Sequence, residues 1–184
     1  WGRQVYRWSD LDFEANARDG IGVDWPIRYA DVAPWYDHVE RFMGVSGAEL
    51  GLPHLPDGVF QPAMDMNVAE RLVRDRMRER FGPSRILTIG RVAVLTRDMP
   101  GRTACHYCGP CQRGCITRSY FSSLNATLPA ARATGRLTLR PRSIVRGVTY
   151  DPARGRVTGV RVIDASTRAE QEFTARVVFL CASA

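Results

Sequence analysis

Four of the five cysteines of this chain fall within Cys105 to Cys115, in the run CHYCGPCQRGC. Cys105, Cys108, Cys111 and Cys115 are spaced C-x2-C-x2-C-x3-C, which brings consecutive thiols of one tight loop to a common point, as in loops that bind iron–sulfur clusters. Gly109 and Gly114 supply the backbone freedom that such a turn requires. The spacing leaves other readings open: a zinc ion, two disulfides in an oxidising compartment, or a metal-free thiol loop. Ile116 stands where ferredoxin-type runs place a proline, and no second cysteine run follows, so a two-cluster electron wire is not expected. His106 is a further candidate ligand inside the loop.

The rest of the chain must form a scaffold around this loop, and 184 residues with 45% apolar content are enough for a folded core. The chain opens on Trp1 and closes on the apolar run VVFLCASA, which reads as an internal piece of a longer protein. All 26 basic residues are arginine, a bias spread over the whole length, so the formal charge of +7 does not mark a nucleic-acid partner. Arg71, Arg74, Arg76, Arg78 and Arg80 are interleaved with Glu70, Asp75 and Glu79, as on a solvated helix face. No apolar run reaches the roughly 20 residues that span a bilayer.

Residues 1–28 show no sustained period and read as ordered loop, with Trp1, Trp8, Trp25 and Trp35 as aromatic anchors. Asp31 to Met43 is predicted helical, with Pro34 in its first turn, Gly44 at its end and a packing face of Val32, Trp35, Tyr36, Val39 and Phe42. A second helix is predicted from the Asn67/Glu70 capping box to Phe81, stopped by Gly82-Pro83. Arg85 to Thr96 alternates as one or two strands, and Ser122 to Ala133 reads as a helix closed by Gly135. Short strands follow at Leu137 to Leu139, Ser143 to Tyr150, Arg156 to Ile163 and Glu170 to Phe173, the last three forming a meander. Arg176 to Cys181, RVVFLC, is apolar throughout, the pattern of a strand covered on both faces of a parallel sheet. The fold class is therefore α/β, with mixed helix and sheet in this segment.

Taken in order, DWPIRYADVAPWYDHVERFMGVSG at 24–47, the cysteine loop, TLPAARATGRLTLRPRSIVRGV at 127–148 and TGVRVID followed by ARVVFLCASA resemble the glucose-methanol-choline family of flavin oxidoreductases. The likeness is to its bacterial gluconate- and sugar-dehydrogenase branch. It implies a Rossmann-like FAD-binding domain interwoven with a substrate domain. Residues 1–100 would lie mainly on the substrate side, 101–118 would form the cysteine loop, and 119–184 would belong to the FAD domain. It further implies that FAD adenine lies against the backbone at Val145 and its neighbour Ile144, and that Ala182 and Ser183, in the turn after the last strand, approach the cofactor. Some members of that branch hold an iron–sulfur cluster in a loop at this place, so the resemblance implies Cys105, Cys108, Cys111 and Cys115 as its ligands.

The implied reaction is oxidation of a small-molecule alcohol or sugar at a CH–OH group, with an electron-acceptor protein as partner. The phosphate-binding glycine turn would lie upstream of Trp1 and the catalytic histidine downstream of Ala184, so no residue of this segment is expected to act as catalytic base. Trp25, Trp35 and Tyr36 are candidates for the cavity wall. The alternative reading is an electron-transfer or zinc-binding module whose chemistry is confined to the cysteine loop.

Overall fold

The computed structural model describes residues 2–182. It divides into two compact units, one running to Gly135 and the other starting at Arg136.

The first unit begins with two short helices, α1 (Asp10–Phe13) and α2 (Ala15–Asp19), where the sequence suggested loop. Asp12 accepts the Ser9 N–H at 2.7 Å and Gly20 takes the left-handed conformation that ends α2. These are local capping signals too short to generate a hydrophobic period. Trp8, Phe13 and Trp25 meet edge to face with centroids 5.4 to 6.4 Å apart, so two of the tryptophans anchor this irregular backbone.

Helix α3 (Tyr29–Met43) ends at Gly44, whose φ of 74° favours glycine. A Cβ there would sit 2.1 Å from Leu95 Cδ2, so Gly44 also lets the helix end approach the segment leading to the cysteines. The apolar stripe expected to pack is largely solvent-facing, with Trp35 69% exposed, while the buried residue of the helix is Glu40. A charge accounts for this. Arg7, itself buried, donates from Nε to Glu40 Oε1 at 2.8 Å and from its second amino group to Glu40 Oε2 and Asp37, and it also donates to the Tyr29 hydroxyl. Burial alone pulls the Arg7 pKa down, but its hydrogen bonds to Glu40, Asp37 and Tyr29 more than offset that and hold it above its ordinary value.

Helix α4 (Val68–Phe81) carries both halves of the expected capping box, Asn67 Oδ1 accepting from Glu70 N at 3.0 Å and Glu70 Oε2 from Asn67 N at 2.8 Å. Its stripe of Val68, Leu72 and Val73 is exposed.

Residues 91–95 replace the regular strands expected over Arg85 to Thr96. Their burial does alternate, with Arg91, Ala93 and Leu95 inside, but the hydrogen bonds go to three different segments in turn. Val5 N bonds Arg91 O, Ser46 exchanges two bonds with Val92, and Ala93 O and Leu95 N reach Phe121 and Ser119. A segment whose partners change every residue or two cannot build a ladder, and only isolated bridges form. It is nonetheless the core of this unit, together with Phe13, Val45 and Ala126. The helix expected over Ser122 to Ala133 starts as a wide π-type turn at Ser123–Thr127, capped by Ser122, and becomes α5 (Leu128–Ala133).

The second unit is the meander: β1 (Ser143–Asp151), β2 (Arg156–Asp164) and β3 (Glu170–Thr174), antiparallel in the order β1-β2-β3. Asp151 and Asp164 cap the two connecting turns through their carboxylates. The expected strand at Leu137–Leu139 is irregular backbone. Arg176 to Cys181 is not a strand either, and Val177, Phe179 and Leu180 are 65%, 82% and 68% exposed. A parallel strand needs neighbouring strands joined by crossover connections, and among the described residues it has none.

Candidate functional site

The cysteine loop leaves the core at Leu95, whose carbonyl accepts the Cys105 N–H at 2.8 Å. Asp98 accepts the Ala104 N–H, Met99 and Arg102 exchange backbone hydrogen bonds, and Thr103 pairs with Thr117, so the two ends of the loop are tied together. Between them Gly109 and Gly114 take φ of 93° and 116°, and a 3-10 turn forms at Cys111–Arg113. The chain thereby doubles back, and Cys105, Cys108, Cys111 and Cys115 all line one pocket of about 40 Å³, with His106, Arg3 and Tyr120 on its rim. Arg3 lies over the Tyr120 ring, 4.2 Å from its centroid, and donates to the Cys111 carbonyl.

The four thiols are not equivalent. Cys108 and Cys111 are exposed, and Cys105 and Cys115 are half-buried. Cys105 Sγ accepts the Tyr107 N–H at 3.4 Å. Cys115 Sγ accepts the Ser119 N–H at 3.3 Å and shares a hydrogen bond with the Thr117 hydroxyl at 3.3 Å. Burial pushes the Cys115 thiol up, but the Thr117 hydroxyl and the backbone N–H groups of Tyr120, Ser119 and Thr117 together outweigh it and hold the thiol below its ordinary value.

Arg102, 6% exposed, donates to the carbonyls of Arg118, Met43 and Ser119 at 3.1, 2.9 and 2.9 Å and so ties down the chain that follows the loop. Its pKa is lowered by burial, an effect that the Cys115 sulfur partly offsets. Nothing in the sequence marked Arg102, Thr117 or Ser119, since one arginine among 26 carries no signal by itself.

Among the described residues, none of the cysteines is paired in a disulfide, and no three His, Cys, Asp or Glu side chains converge closely enough to hold a single metal ion. A mononuclear zinc centre, with every sulfur at about 2.3 Å from one ion, is therefore not preformed.

The residues expected at FAD lie in the second unit and are not in the cysteine pocket. Ile144 and Val145 stand on β1, paired with Ile163 and Val162, next to a register shift between Val145 and Gly147. β1 is an edge strand of its sheet, so alternate backbone N–H and C=O groups along it are not claimed by β2. Ala182 lies in an exposed bend, and Ser183 falls outside the described residues. Trp25 and Tyr36 are engaged in packing, Tyr36 stacked on Tyr29 and accepting the Trp8 N–H through its hydroxyl. No helix among the described residues is long and apolar enough to cross a membrane.

The chain is 30% identical over 187 residues to a 2-methyl-1,2-propanediol dehydrogenase of Mycolicibacterium austroafricanum, covering 96% of this chain and 32% of that protein. It is 26% identical over 202 residues to a 6'''-hydroxyparomomycin C oxidase of Streptomyces lividus, covering 100% of this chain and 34% of that protein. A paromamine 6'-oxidase of Streptomyces fradiae matches at 37% over 54 residues, 28% of this chain and 10% of that protein. The chain thus spans about a third of the length of the first two relatives. The family model described as GMC oxidoreductase matches residues 19–184, nearly the whole chain, and the chain belongs to that family.

Proposed function

We propose that this segment is part of an FAD-dependent oxidoreductase that oxidises a CH–OH group of a small alcohol or sugar. The observation that carries the reading is the family match over residues 19–184. The relatives support it, one named for a small diol and two named as oxidases. Bound FAD would supply the hydride acceptor. The open edge of β1 fits adenine, because one of the adjacent residues Ile144 and Val145 turns its main-chain N–H and C=O away from β2, where they match a nucleobase edge whatever the side chain. Ala182 and Ser183 are small enough for close approach to the cofactor. On this reading residues 119–184 belong to the FAD side, residues 1–100 mainly to the substrate side, and the general base lies outside this segment.

The cysteine pocket has a separate role in the same reading. Cys105, Cys108, Cys111 and Cys115 would hold an iron–sulfur cluster that passes single electrons from the flavin to an acceptor protein. Support comes from the spacing and from the shared pocket.

The test uses the full-length protein purified anaerobically. We expect bound flavin whose visible band bleaches on addition of 2-methyl-1,2-propanediol or another member of an alcohol and sugar panel. A full-length protein that holds no flavin, or whose flavin no alcohol reduces, overturns the assignment.

A further inference from the structure

Helix α5, the π-type turn before it and the end of α3 border open space apart from the cysteine pocket. Two adjoining cavities of about 430 and 700 Å³ lie there, with Arg118, Asn125, Pro129 and Ala133 as their common wall. Both volumes suit a small-molecule ligand. Phe42, Met99 and Ala126 give the first cavity an apolar floor. The charged lining is of one sign. Arg102 and Arg118 border the first cavity and Arg118 and Arg132 the second, and no aspartate or glutamate among the described residues lines either.

The buried member of this set is Arg102. It is 6% exposed and donates to the carbonyls of Met43, Arg118 and Ser119, which satisfy its hydrogen bonds but bring no net charge. Arg7 and Arg91, also buried, each meet a carboxylate, whereas Arg102 meets none among the described residues. A buried cation without a counter-charge is costly, and an anion from outside the chain would relieve that cost. The backbone of the wall is held in uncommon conformations: Arg118 has a φ of 56°, and Ser123–Thr127 winds as a π-type turn. Such features persist where the surrounding structure enforces them, often at binding sites.

We propose that this cavity is a binding site for a small amphipathic anion, a compound with an apolar body and one carboxylate or phosphate head. The body would lie on Phe42, Met99 and Ala126, and the head would meet the Arg118 guanidinium, with the buried charge of Arg102 reinforcing the attraction. The site shares no lining residue with the cysteine pocket, and it depends on neither a metal nor a bound flavin.

The test is isothermal titration calorimetry on the full-length protein with three probes that share one alkyl chain: hexanoate, hexyl phosphate and the neutral hexanol. Binding of either anion at least about tenfold tighter than hexanol supports the proposal, and the better of the two names the head group. Arg118→Gln should weaken anion binding by about tenfold or more and leave hexanol unchanged, because it removes charge-assisted hydrogen bonds to the head alone. Arg118→Lys, which keeps the charge, should lose less. Ala130→Phe, on the exposed side of α5 that lines the first cavity, should fill the space and weaken all three probes.

No binding of either anion overturns the proposal, as does an affinity for hexanol equal to that for both anions. Anion binding unchanged in both Arg118→Gln and Ala130→Phe overturns it as well. If Arg118→Gln does not fold, Ala130→Phe decides: weaker anion binding supports the site and unchanged binding overturns it.

Discussion

The two units solve the problem of an interior in different ways. Residues 136–182 use backbone: three antiparallel strands, a register fixed by side-chain alternation and turns capped by Asp151 and Asp164. Residues 2–135 use charge: Arg7, Arg91 and Arg102, all under 10% exposed, each gather several oxygens from distant parts of the chain. Arg91 donates to the Pro56 carbonyl and to Asp57, and its guanidinium carbon lies 4.8 Å from the Phe60 ring centroid. The difference teaches where each unit is vulnerable. A ladder distributes its hydrogen bonds, so losing one side chain costs little, whereas an arginine hub concentrates them in one residue.

The sharpest break should come at the Arg7 hub. Glu40→Ala removes both oxygens facing Arg7 and the acceptor of the Val59 N–H, leaving a buried cation with Asp37 as its remaining carboxylate. We expect a loss of about 3–5 kcal/mol in urea unfolding of the full-length protein. A loss below about 1 kcal/mol would erase the contrast between the units, since that is what an exposed pair yields.

In the meander the comparable weak point is steric. Gly159 is buried in β2, and a Cβ there would lie 2.3 Å from the Phe173 carbonyl oxygen of β3. Replacing a strand glycine with alanine usually helps by restricting the unfolded chain. Here Gly159→Ala should instead cost about 1–3 kcal/mol, read as a lowered melting temperature, because two backbones must move apart. A neutral or stabilised variant would show that the ladder yields more readily than its register suggests.

The smallest effect concerns pH. Burial raises the Asp57 carboxyl pKa, but hydrogen bonds from Leu50 and Gly51 and the nearby Arg91 outweigh it and hold it below the ordinary 3.8. A carboxylate with a depressed folded pKa stabilises fully above its unfolded value and loses that contribution as pH falls through the folded value. The Arg91 hub should therefore be unaffected from neutral pH down to about 4 and weaken only below it. Asp57→Asn should flatten that acid limb in a melting-temperature profile between about pH 2 and pH 5, and an unchanged limb would assign the acid sensitivity to other carboxylates.

The same contrast governs what could be read from the residues. The meander was legible because period-two alternation and Asp-centred turns are local signals, and α4 was legible from the Asn67/Glu70 pair. That Cys105, Cys108, Cys111 and Cys115 line one pocket followed from their spacing. The buried hubs were not legible, because an arginine in an arginine-rich chain reads as surface and its partners are 16 to 59 residues away, as with Arg102 to Arg118 and Arg102 to Met43. The expected faces of α3 and α4 failed for the opposite reason. Apolar side chains report a tendency to be covered, and Trp35, Leu72 and Phe179 remain exposed among the described residues.

The segment at 91–95 bears on how this protein comes to exist at all. Its residues wait for three separate stretches of chain, with Val92 paired 46 residues back at Ser46 and Leu95 paired 24 residues ahead at Ser119. Contacts of such long sequence separation bear their loop-closure entropy before they return any stabilisation, so they form late. Because Cys105 hangs from Leu95, the thiols gather only once that crossing is complete. Folding is thereby ordered in time: the scaffold must knit before the four thiols can share one pocket.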